Sequence, residues 1–78
     1  MMQRAGTVRK IAQNVAVVRC PGEDHPEMGA TLLNEQLETV GRVVDVFGPV
    51  EQPFLAVSPG GNVRLAPLLG TVLYYRES

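Results

Sequence analysis

Glycine, proline and asparagine cut this chain into short β-branched runs, and between them no long apolar stripe of helical period develops. That punctuation points to an all-β fold. The first run, Arg4 to Ile11, alternates polar and apolar positions with Gly6 inside it. Gln13-Asn14 then turns the chain tightly into Val15–Cys20, which predicts a hairpin. Pro21-Gly22 ends the second run and opens a polar loop from Glu23 to Glu27, closed by Met28-Gly29. A brief strand follows over Ala30–Leu33, and Asn34-Glu-Gln turns the chain again.

The longest run starts near Glu38 and passes through Gly41-Arg-Val-Val-Asp-Val-Phe47. Valines occupy both of its faces, so both are expected to be covered, and Gly41 suits a bend or bulge. Phe54 to Ser58 reads as a further strand. Pro59-Gly-Gly-Asn62 reads as a turn in which the glycines supply positive φ. Thr71 to Arg76 closes the sheet. About six short strands, each continuing after a brief turn, predict a small closed antiparallel barrel, because closure removes the edges that invite aggregation.

The chain has 78 residues, which accommodates one β-barrel domain spanning 1–78. A domain of this size buries only about 60–65% of the surface its unfolded chain exposes, so the core is modest. A disulfide within the chain is ruled out because Cys20 is its one cysteine. Cys20 and His25 are too few soft ligands for a zinc site. A well-packed core, helped by a binding partner, is what remains.

The formal net charge is -1. Arg4, Arg9, Lys10, Arg19, Arg42, Arg64 and Arg76 are dispersed, with no basic stripe, which counts against RNA or DNA as the primary partner. The preference for arginine over lysine and valine over isoleucine fits a GC-rich genome of archaeal or halophilic type. No apolar run approaches the ~20 residues that span a bilayer, and no signal-peptide pattern opens the chain. The expectation is a soluble, cytoplasmic protein.

The inventory for catalysis is poor. Asp24, His25 and Glu27 share a polar loop, where such a trio reads as solvated surface rather than a metal site. Cys20 with His25 lacks a third orienting group, and Cys20 reads as a small buried residue at a strand end. Asp45, mid-strand, reads as a hydrogen-bonded or edge-facing carboxylate. The aromatics are Phe47, Phe54, Tyr74 and Tyr75, and strand alternation sends at least some of them inward. No catalytic residue, metal or cofactor is expected.

The segment from Phe47 to Phe54 stands apart. Gly48 permits a turn geometry closed to other residues, Pro49 fixes φ and removes a donor, and Pro53 stiffens the exit. A loop stiffened in this way loses less entropy on docking. Val50 in its middle is not ordinary turn chemistry. Two readings stay open on the residues alone: a recognition surface, or a plug closing one end of the barrel.

Gly41, Val43, Val46, Phe47, Gly48, Pro49, Val50, Pro53, Phe54 and Val57 stand in an order and spacing that resembles the glycine/arginine-rich (GAR) nucleolar protein family, the H/ACA ribonucleoprotein subunit in its short, tail-less archaeal form. Gly6, Val8, Gly29, Gly70, Leu73 and Tyr74 extend the resemblance over most of the chain. Phe54 stands where a tyrosine is common, which removes a hydroxyl.

The resemblance implies a six-stranded barrel related to translation-factor and reductase barrels. It also implies a non-catalytic subunit that docks on a dyskerin-type pseudouridine synthase and aids substrate loading and product release in rRNA pseudouridylation. Guide RNA and rRNA would belong to the same complex without being held directly. On this reading Phe47, Gly48, Pro49, Val50, Pro53 and Phe54 form the protein interface. The rival expectations are a small RNA-binding adaptor, an assembly factor of the same superfamily, and a small enzyme.

Overall fold

Gln13 and Asn14 both take positive φ, 52° and 63°, as the centre of a type I′ turn requires. They fold Met2–Ala12 (β1) back on Val15–Arg19 (β2) as an antiparallel hairpin. The computed structural model describes residues 2–76. Four more strands follow: Thr31–Leu33 (β3), Thr39–Phe47 (β4), Phe54–Pro59 (β5) and Val72–Arg76 (β6). They close in the order β1-β2-β5-β4-β3-β6, with every neighbouring pair antiparallel. The all-β, six-stranded barrel expected from the punctuation is the fold observed. No helix among the described residues is long and apolar enough to cross a membrane.

The long first strand closes the barrel by pairing twice. Met2–Thr7 runs against β6 and Thr7–Ala12 against β2, with a register shift on each side of the changeover. Gly6 occupies that corner with φ 150°, and a side chain there would collide with the Arg19 carbonyl. A glycine therefore lets β1 lie close enough to β2 to turn.

The interior is aliphatic. Val8, Val18, Leu32, Val43, Leu55, Val57 and Leu73 have lost nearly all solvent contact, and no polar or charged residue among those described is buried. Each such side chain contributes roughly 1.5–3 kcal/mol of transfer free energy. Leu65 joins this cluster from the loop ahead of a 3-10 turn at Ala66–Leu68.

Two expectations are corrected. The run of valines in β4 is not covered on both faces: Val40 and Val43 are buried, whereas Val44 is 45% exposed. A closed barrel has one interior, and the register shift between Val43 and Asp45 leaves Val44 outside it. Gly60 and Gly61 do not take positive φ. Their turn is held by the Gly60 N–H donating to the Val40 carbonyl (2.8 Å) and the Val63 N–H to that of Gly60 (3.0 Å). Of the aromatics, Tyr75 packs half-buried against the core, Phe54 and Tyr74 are half-buried, and Phe47 is exposed. Aliphatic side chains fill the small interior, so the rings lie at its margins.

Candidate docking site at the β4–β5 turn

Phe47, the last residue of β4, pairs in register with Phe54, the first of β5. Their rings stack with centroids 5.7 Å apart and planes 21° apart. Gly48 leaves β4 at φ 89°, and a Cβ there would stand 2.9 Å from the Phe54 ring. Both its backbone conformation and its lack of a side chain are therefore needed for the stack to close. The turn is bridged by the Gln52 N–H donating to the Pro49 carbonyl at 3.2 Å.

The turn does not plug the barrel. Val50 is 84% exposed and Phe47 42% exposed, with Pro49 and Glu51 also on the surface. Pro53 is buried, and its carbonyl accepts the Cys20 N–H at 3.0 Å. The six expected site residues thus fall into two groups. Phe47, Pro49 and Val50 present apolar surface; Gly48, Pro53 and the half-buried Phe54 shape and support it. An apolar tip held out on a short, bonded turn offers van der Waals and hydrophobic contact to another surface and no chemistry.

Two residues that local sequence reading passed over complete the site. The Arg19 guanidinium carbon lies 5.9 Å from the Phe54 ring centroid, within cation–π range, so Phe54 lies between a cation and a second ring. Arg19 Nη2 also donates to Gln52 Oε1 at 2.8 Å, and Gln52 Nε2 donates to the Cys20 carbonyl at 3.0 Å. Arg19 faces Phe54 in the β2–β5 register. Only strand pairing brings residues 19 and 52 together, so no local signal marks them.

The other candidates resolve differently. Cys20 is buried, and burial pushes its thiol above the ordinary value of 9.0, the opposite of an activated nucleophile. His25 Nδ1 lies 2.8 Å from the Pro26 carbonyl oxygen. Among the described residues no three of His, Cys, Asp and Glu gather as a metal site. Asp45 is exposed, and its Oδ1 accepts the Val46 N–H at 2.9 Å.

A family model described as the Gar1/Naf1 RNA binding region matches residues 2–78. The chain belongs to the Gar1/Naf1 family. Membership makes it an RNA-associated domain. Among solved structures, the barrel is similar to the Gar1 domain of Naf1, with a TM-score of 0.77 over 96% of this chain and 81% of that one. Identity is 18%, so this second likeness is one of fold alone. No curated protein matches the chain in sequence.

Proposed function

We propose that this Gar1/Naf1-family barrel is the non-catalytic subunit of an H/ACA guide-RNA ribonucleoprotein. It docks on the catalytic domain of a dyskerin-type pseudouridine synthase through the Phe47–Phe54 turn. There it promotes substrate loading and product release in rRNA pseudouridylation, with its cytoplasmic setting part of the same reading. The observation that carries the proposal is the 84% exposure of Val50 on a turn bounded by Gly48 and the buried Pro53. A partner that grips one state of a mobile synthase loop better than another shifts that loop's population, which is how a subunit without chemistry changes turnover.

Val50→Asp tests it. The barrel should keep its stability within about 0.5 kcal/mol, as an exposed substitution does. Its affinity for the synthase should fall roughly 100-fold or more, because a carboxylate would be desolvated without a partner. Unchanged co-purification would remove the turn from the interface.

A second reading, direct RNA contact, is favoured by the description of the matching family and by Arg19 beside a stacked aromatic pair. It requires tight binding of guide RNA without the synthase, weakening steeply as salt rises.

A further inference from the structure

We propose that Gln52 is the positioning residue of the docking turn, a latch that ties the turn to the end of β2 and orders Val50 before any partner arrives. The inference rests on the reading of that turn as a docking surface. The backbone bond from Gln52 to Pro49 is internal to the turn and does not fix it to the barrel.

The Gln52 side chain supplies that anchorage. Its Oε1 accepts from Arg19 Nη2 at 2.8 Å and its Nε2 donates to the Cys20 carbonyl at 3.0 Å. One residue later the Pro53 carbonyl accepts the Cys20 N–H at 3.0 Å, so the turn's exit grips both polar groups of Cys20. Cys20 is buried and Gln52 half-buried, which shields the amide–carbonyl bond from competing water.

The chemistry of the position selects an amide. One end must accept from a cation while the other donates to a carbonyl, and both must sit on one planar group. A glutamate would set a carboxylate oxygen against the Cys20 carbonyl, and a lysine would set an ammonium against Arg19. The latch also reaches the aromatic pair, because the same Arg19 lies 5.9 Å from the Phe54 centroid and Phe54 stacks on Phe47. Turn and rings are thereby held as one preorganised unit, which lowers the ordering cost of association.

The test uses Gln52→Met, which keeps the reach and removes both polar atoms, with Arg19→Met as a second variant that cuts the latch from the other side. Backbone amide order parameters of Val50 and Glu51 in the free chain, and affinity for the synthase, are measured together. The wild-type amides should lie near about 0.85 and the variants below about 0.6. Affinity should drop about fivefold to tenfold. Gln52→Glu, which keeps the Arg19 contact alone, should fall between. Amides that stay rigid in both methionine variants overturn the latch, and so do loosened amides with unchanged affinity. If the wild-type chain ignores the synthase altogether, the docking reading fails, and the order parameters alone decide whether Gln52 holds the turn.

Discussion

Phe47 and Phe54 meet across the β4–β5 pair with their rings stacked, yet solvent reaches them unequally. Phe47 is 42% exposed, while Phe54 is half-buried between it and the Arg19 guanidinium. The outer ring is available to a partner and the inner one supports it.

That inequality makes the two alanine variants differ. Phe54→Ala removes the stack, the cation contact and a half-buried ring, and should cost about 2–3 kcal/mol. Phe47→Ala should cost about 1 kcal/mol but, under the proposed function, weaken docking on the synthase by more than its effect on folding. Urea titration of both variants reads the first difference. Equal losses would contradict the inner and outer roles.

Two glycines should respond in opposite ways to the same change. A Cβ on Gly41 would collide with the Ser58 backbone carbonyl across the β4–β5 pair, whereas one on Gly22 would meet nothing within 4 Å. Gly41→Ala should therefore cost more than about 3 kcal/mol or prevent folding. Gly22→Ala should be neutral or stabilise by up to about 1 kcal/mol through the unfolded chain. Thermal midpoints of the pair check this.

The turn between β3 and β4 contains a correctable strain. Leu37 takes φ 65° and is 57% exposed, so it occupies a left-handed conformation with little packing in return. Asn34 holds the turn, its Oδ1 accepting the N–H groups of Gln36 and Glu38, each at 2.9 Å. Leu37→Asn should stabilise by about 0.5–1 kcal/mol, since asparagine tolerates that region better. Asn34→Ala should destabilise by about 1–2 kcal/mol. Chemical denaturation of each variant decides.

Cys20 links burial to pH. Its thiol is raised in the folded barrel by desolvation, so the neutral form is favoured there. The sign follows: the unfolded chain releases the proton first, so this contribution is complete below about pH 9 and is lost as pH rises above it. Urea midpoints should fall between pH 8 and pH 10 more steeply for the wild type than for Cys20→Ala. In the native protein a thiol reagent should label Cys20 only at the rate of opening.

Much of the fold is legible locally. Gln13-Asn14 announces the hairpin, and Gly48-Pro49 announces a stop between two strands, because turn chemistry depends on residues adjacent in the chain. The candidate site is legible only in part. Its glycine and prolines can be read from the sequence, but whether Val50 faces the core or the solvent cannot, since both readings place the same residues in the same turn.

By itself the sequence determined the fold class, the hairpin turns and the apolar turn between Phe47 and Phe54, all of which follow from short-range backbone preferences. Tertiary structure decided that Val50 stands in solvent and that Val44 lies outside the core. It also decided that Gln52 meets Arg19 and Cys20, 33 and 32 positions away. The reason is barrel closure. Only when β2 and β5 pair do those groups come within hydrogen-bonding reach, and only a closed sheet distinguishes an inside from an outside.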